Sequence, residues 1–417
     1  MSKAPLPIST AEYVQRREGV LKILKDSVGV VFAGEGVGGI HGKWRANPFF
    51  IYLTGIDDEP DAAVVFDPQS ESDRTRTILF LRPLAPETEA WDGLRDSIAQ
   101  PLRDRLGFRT IRRTSHLPMI LSALGRKRRK LSCLHPPAAY TANVTPDLAI
   151  FRKISERTLG VSIDDKSAGL LKMRAAKSKG EVALMQHAIN ITGESLSVMA
   201  RAIKPGSGER DLMLTLEHGF KARGADGPAY ETIVGSGVRG TVLHYTSNSQ
   251  PLEAGDLIVV DAGARFAGYA ADITRTYPVS GRFTPEQREM YELVLRAQAA
   301  SIRACKPGVF ISDVDEAARV VFERAGVGDA FIHGIGHHLG IEVHDATPDA
   351  PLEAGNVVTI EPGVYFPDRK MGIRIEDDIL ITASGNKNLS QDIPKAADEV
   401  EALIGGKPGP RARSRSA

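Results

Sequence analysis

One segment of this chain occurs twice, about 100 residues apart, and nothing else in the sequence restricts the fold as strongly. Leu252-Glu-Ala-Gly-Asp-Leu-Ile-Val-Val-Asp261-Ala-Gly returns as Leu352-Glu-Ala-Gly-Asn-Val-Val-Thr-Ile-Glu361-Pro-Gly. Each copy reads as a turn, a buried strand and a carboxylate at the strand's end. Upstream, Lys204-Pro205-Gly206 is matched by Lys306-Pro307-Gly308, and each is followed by an amphipathic helical stretch that stops at Gly224 or Gly326. His244 and His344 hold equivalent places, and Gly268 to Asp272 matches Gly372 to Glu376. The repeat predicts two similar helix-and-hairpin halves about a pseudo-two-fold axis, forming a curved, mostly antiparallel sheet covered by helices. Four carboxylates, Asp261, Asp272, Glu361 and Glu376, converge where the halves meet.

An ionised carboxylate at the mouth of a buried strand is costly unless something neutralises it. Any one of these acids alone reads as a surface or salt-bridged residue. Four together require about four positive charges, which two divalent cations supply, and a metal separation of roughly 3.5–4 Å suits bridging carboxylates. The repeat breaks its symmetry at one place: Ile332-His333-Gly-Ile-Gly336 continues into His337, where the first half has Val238. A histidine gained in one half is a fifth ligand candidate. Such an oxygen-rich donor set favours manganese, with cobalt or zinc as alternatives. His244, His333 and His344 flank the acids as hydrogen-bond donors or proton carriers. His338 and His187 read as structural. Arg374, two residues before Glu376 on an alternating strand, is expected on the same face, orienting that carboxylate or a substrate carbonyl. No phosphate loop, zinc-finger spacing or Gly-x-Ser-x-Gly elbow offers a different chemistry, and Gly34 to Gly39 has the wrong spacing for a nucleotide loop.

The first third alternates β-rich runs (Val28 to Phe32, Ala62 to Phe66, Thr77 to Leu81) with polar helical stretches, which gives a small α/β domain. The reading is α/β (α+β), with that domain over 1–163, the duplicated catalytic domain over 164–405, and a loose tail over 406–417. Ser178 and Glu181 form a capping box opening the long helix of the second domain. A net charge of +1 provides no field for nucleic acid or acidic membranes, so neither is expected as a partner, and the basic run Arg126 to Lys130 reads as solvated surface. Two cysteines and no signal-peptide core point to the cytoplasm.

These motifs together resemble the pita-bread metallopeptidases, and among them the proline-specific aminopeptidases (aminopeptidase P). The resemblance rests on Val242-Leu-His-Tyr-Thr246, Asp261-Ala-Gly with Asp272-Ile-Thr-Arg-Thr276, His333-Gly-Ile-Gly-His337 with Val343-His-Asp345, Glu361-Pro-Gly, and Gly372-Ile-Arg-Ile-Glu-Asp377. Tyr52-Leu-Thr-Gly55 and Glu89-Ala-Trp91-Asp-Gly93 resemble that family's first domain. The resemblance implies that Asp261 binds one metal, His337 with Glu361 the other, and Asp272 with Glu376 both. It gives His244, His333 and His344 to substrate and to the tetrahedral intermediate, with Tyr365 and Arg374 in support. It also implies a homo-oligomer, dimer or tetramer, through Trp91. The expected reaction is hydrolysis of the first peptide bond where proline stands second: a metal-bridging hydroxide attacks, His344 donates to the developing oxyanion, and Glu361 carries a proton to the proline nitrogen. The alternatives are an Xaa-Pro dipeptidase with the same ligands and, more remotely, a binding module with a dead site.

Overall fold

The computed structural model describes residue 4, residues 6–35 and residues 44–404. The rest of the glycine-rich stretch after Glu35 and the tail read over 406–417 lie outside the described residues. Two compact units are present, one from Ile8 to Arg174 and the other from Ala175 onward together with the described residues before Ile8.

The first unit is built on a six-stranded sheet in the order Thr110–Arg113, Thr77–Leu81, Ala63–Phe66, Val28–Phe32, Lys130–Cys133, Ser162–Asp165. Its central pairings are antiparallel and its outer ones parallel. Alternate residues Val28 and Val30, Ala63 and Val65, and Ile78 and Phe80 share one face, as the two-residue period requires. Leu117, Leu121, Phe151 and Ile154 from the helices Leu117–Arg128 and Pro146–Ser155 bury them. The last strand, Ser162–Asp165, pairs with Lys130–Cys133, so the sheet runs across the boundary read at Asp164. Three residues of the basic run pair with neighbouring acids: Arg128 with Asp67 at 2.9 Å, Lys127 with Glu71 at 3.4 Å, and Lys130 with Asp26.

In the second unit the duplication is physical. The turn after each first helix uses a glycine at φ +85°, Gly206 and Gly308, where a side chain would be strained. Their amides donate to Leu252 and Leu352, the leucines that open the two copies, at 2.9 and 2.8 Å. The helix Glu209–Ala222 packs on Lys179–Ala200, whose capping box joins Ser178 and Glu181, while Ile311–Arg324 packs on Pro285–Ala304. In the first half the buried strand Leu257–Ala262 pairs with Ile233–Ser236 and Ile273–Pro278. In the second half Val357–Ile360 pairs with Asp377–Thr382, which pairs with Gly385–Asn388. Each half encloses a smaller hairpin, Ala264–Phe266 with Tyr269–Ala270 and Gly363–Phe366 with Met371–Arg374. All strand pairings described in this unit are antiparallel.

The halves meet where the amide of Glu376 donates to the Thr274 carbonyl at 3.1 Å and Thr276 Oγ1 donates to the Arg374 carbonyl at 2.9 Å. Among the described residues no helix is long and apolar enough to cross a membrane.

Candidate active site

Each repeat delivers its first acid at the end of its central strand: Asp261 within Leu257–Ala262 and Glu361 directly after Val357–Ile360. The second acids sit where the return strands begin, Asp272 before Ile273–Pro278 and Glu376 before Asp377–Thr382. These four acids, with His337, His244 and His344, line one cavity of about 390 Å³, alongside Tyr230, Glu231, Ile233, Thr246 and Val343.

Asp272, His337 and Glu376 each present a ligand atom, and these atoms all lie within 4.8 Å of one another. His337 Nε2 lies 3.5 Å from Asp272 Oδ2 and 3.6 Å from Glu361 Oε1. Its Nδ1 faces the His338 carbonyl at 3.1 Å, so that nitrogen carries the proton and leaves Nε2 with a lone pair towards the acids. Burial holds His337 and His333 down at about 4, keeping both imidazoles neutral at pH 7. Burial, reinforced by the charge of Asp261, holds Asp272 well above the ordinary carboxylate range. Burial and Asp272 do the same to Glu376, and burial pushes Glu361 up to about 8 against the pull of Arg374.

Three acids that resist ionisation together, beside a neutral imidazole, form a donor set that a cation completes. Tyr230 makes the same point geometrically. Its hydroxyl is 2.5 Å from both Asp261 Oδ1 and Asp272 Oδ1. One phenolic proton serves one ionised carboxylate, so the second contact needs a proton on the other acid or a positive charge beside it. The residues therefore fit divalent metals.

Around the acids runs a hydrogen-bonded frame. Arg374 Nη2 donates to Asp261 Oδ2 at 2.7 Å, its Nη1 to Tyr365 Oη at 3.1 Å and its Nε to Thr274 Oγ1 at 3.2 Å. The expected partnership of Arg374 with Glu376 is thus replaced by one with Asp261. Strand alternation holds only to the end of Met371–Arg374, and Glu376 lies past that end. The link to Glu376 is indirect, through Thr274 Oγ1, which donates to Glu376 Oε2 at 2.6 Å. His333 is not among the cavity's lining residues; it joins Tyr365 Oη at 2.9 Å and so sits at the outer end of a chain running His333, Tyr365, Arg374, Asp261. His338 is buried in the fold and His187 packs edge-on against Phe266.

Sequence reasoning missed Tyr230, Thr274 and Thr359, whose Oγ1 accepts the His337 amide at 3.0 Å. Tyr230 has no counterpart in the second half, so the repeat gave no signal for it. Thr274 and Thr359 sit on recognised strands, where only the register reveals their partners.

The profile of metallopeptidase family M24 matches residues 183–383, and that of the aminopeptidase P N-terminal domain matches residues 13–132. The Xaa-Pro aminopeptidase of Escherichia coli is 35% identical, over 95% of this chain and 98% of that protein. The Xaa-Pro dipeptidase of Pyrococcus furiosus is 38% identical, but over only 52% of this chain and 64% of that one. Among solved structures, aminopeptidase P from E. coli with the inhibitor Pro-Leu superimposes with a TM-score of 0.84 at 33% identity, covering 96% of this chain and 99% of that one.

Proposed function

The chain belongs to metallopeptidase family M24, in its Xaa-Pro aminopeptidase branch, and from that premise we propose how it releases the first residue of peptides whose second residue is proline. The observation that carries the reading is the single cavity lined by Asp261, Asp272, His337, Glu361 and Glu376 with His244 and His344 on its wall. Asp261, Asp272, His337, Glu361 and Glu376 would together hold two divalent metals. Four carboxylates and one imidazole make a mostly hard donor set, and manganese is its metal.

When bound, the metals supply an activated water and polarise the carbonyl of the scissile bond. The chain's own residues do the rest. Proline fixes its backbone angle and offers no amide hydrogen, so the substrate is not held as an extended strand and needs a cleft of its own. His344 donates to the carbonyl oxygen as negative charge gathers there, and His244 contacts the substrate beside it. Glu361 carries a proton to the departing proline nitrogen. Arg374 and Tyr365 hold Asp261 in place, with His333 behind them. The free amino terminus sits against the acidic cluster, which restricts cutting to the first bond.

The compartment we assign is the cytoplasm, in keeping with two free, buried cysteines. Trp91 and Leu94 stand exposed on the first unit and support a homo-oligomer. The test is a competition assay: chelator-treated protein, with and without manganese, is given an Xaa-Pro-Yaa tripeptide and the matching Xaa-Pro dipeptide. Manganese-dependent release of the free first residue from the tripeptide is expected. Cutting of the dipeptide alone would transfer the protein to the dipeptidases, and no cutting of either would favour a dead-site binding module.

A further inference from the structure

The two histidines of the cavity wall are related by the repeat, His244 to His344, and so are the residues that follow them, Tyr245 to Asp345. In both halves that following residue is bonded to a buried charge, and the two halves do it with different chemistry. Tyr245 Oη donates to Glu209 Oε2 at 3.0 Å. Glu209 is fully buried, and the same oxygen accepts the Gln250 amide at 3.1 Å. Its other oxygen accepts the Ser236 amide at 2.9 Å, the Ser236 hydroxyl at 2.8 Å and Arg239 Nε at 3.1 Å. One carboxylate at the start of the helix Glu209–Ala222 thus ties down both ends of the loop that presents His244. The residue before the histidine is held as well, its carbonyl facing Arg374 Nη2 at 3.4 Å from Leu243.

In the second half Asp345 faces Lys177 at 3.0 Å, both side chains almost fully enclosed, and the Asp345 amide donates to the His338 carbonyl at 2.8 Å. That contact closes the loop between His337 and His344, whose rings lie 4.1 Å apart. The positions that supply the anchors are not related by the repeat. Glu209 corresponds to Ile311, and Lys177 precedes the first half altogether. The two halves therefore build the same device from different residues.

A buried carboxylate accepting five hydrogen bonds is more than fold stability asks of a helix start, where a serine or aspartate cap suffices. Its bonds converge on one loop, and that loop's exposed product is His244. We propose that Tyr245, through Glu209, and Asp345, through Lys177, are positioning residues that fix the aim of His244 and His344 at the substrate carbonyl. Exposed loop histidines otherwise sample several rotamers and backbone positions, and a displacement of about 1 Å is enough to cost a large part of a catalytic contact. The inference rests on the substrate role given above to His244 and His344.

The test is a double-mutant cycle on the manganese-loaded enzyme, read as kcat/KM for an Xaa-Pro-Yaa tripeptide. Tyr245→Phe keeps the ring and removes the bond to Glu209 together with the longer one, at 3.5 Å, that the hydroxyl accepts from the Ser249 amide; a loss of about fivefold is expected, the worth of one good hydrogen bond. His244→Ala is expected to lose on the order of 100-fold. The double variant should match His244→Ala alone, because an anchor without a histidine to aim has nothing left to contribute. Metal content of Tyr245→Phe should stay at the wild-type value, and assays run well below the variant's thermal midpoint separate aim from folding. If Tyr245→Phe costs the same factor with and without His244, or costs nothing at all, the positioning role is overturned while the role of His244 stands. If His244→Ala itself loses nothing, the substrate role fails and the inference goes with it. For the second half, Lys177→Met with Asp345→Asn removes both charges and so avoids stranding either one in the interior; its loss should vanish in a His344→Ala background, and additive losses would overturn that arm.

Discussion

The phenol of Tyr230 lies 2.5 Å from an oxygen of Asp261 and 2.5 Å from an oxygen of Asp272, with a single proton to give. With cations in the site both acids are ionised, and the hydroxyl orients one of them from outside the coordination sphere. Partners of this kind, one bond removed from the metal, typically account for about 10–100-fold in affinity or activity. Tyr230→Phe keeps the ring's packing, so the expected change is confined to the site: manganese affinity about 10-fold weaker, by competition with a fluorescent chelator, with the fold intact. Unchanged affinity would make the hydroxyl a bystander. On the proposed ligand assignment Asp272→Asn removes a charge that both metals would use, and loss of metal loading and of activity is expected together. A variant that still loads two equivalents and turns over peptide would sink the two-metal assignment.

Where the hairpins of the two halves abut, the backbone leaves no room for a side chain. A Cβ on Gly372 would fall 1.9 Å from the Gly240 carbonyl oxygen, a contact with main chain that no rotamer relieves. Gly372→Ala must push the strand Met371–Arg374 off the 3-10 turn Gly237–Thr241, and with it Arg374 off Asp261. Overpacking of this kind costs about 3 kcal/mol, or roughly 6–12 °C in thermal midpoint for a unit of this size. Calorimetry of the metal-loaded protein checks it, and an unshifted midpoint would mean that the junction yields freely. The same junction marks the limit of what the sequence discloses. The duplicated turn, strand and acid were legible because each is a local pattern, and so were the Ser178 cap and the β-rich runs that begin at Val28, Ala62 and Thr77. The partner of Arg374 was not, because the two-residue period lapses between Arg374 and Glu376. Tyr230 and Glu209 were not either: their bonds reach 31 and 36 residues along the chain and leave no periodic trace.

A net charge of +1 hides how unevenly this protein is charged inside, and pH exposes it. Glu361, pushed up to about 8, and Asp272 and Glu376, held well above the usual range, keep protons in the metal-free folded state that the unfolded chain gives up above about pH 4.5. Because the folded state then binds more protons, its stability falls as pH rises. His333, His337 and His338, all held down at about 4, act in the opposite sense, but only between about pH 4 and 6.5, where the unfolded chain protonates them and the fold does not. Above pH 6.5 they are neutral in both states and the acids alone set the slope, at about 1.4 kcal/mol per pH unit for each retained proton. Divalent cations displace those protons and bind the folded state only, so they remove the slope and add their own stabilisation. The gap in thermal midpoint between manganese-loaded and chelator-treated protein is therefore expected to widen from pH 6.5 to 8, chiefly through a falling midpoint of the chelated form. A gap that stays constant would mean that Arg374 and Tyr230 already neutralise the cluster, and that its acids carry their charge without needing a metal.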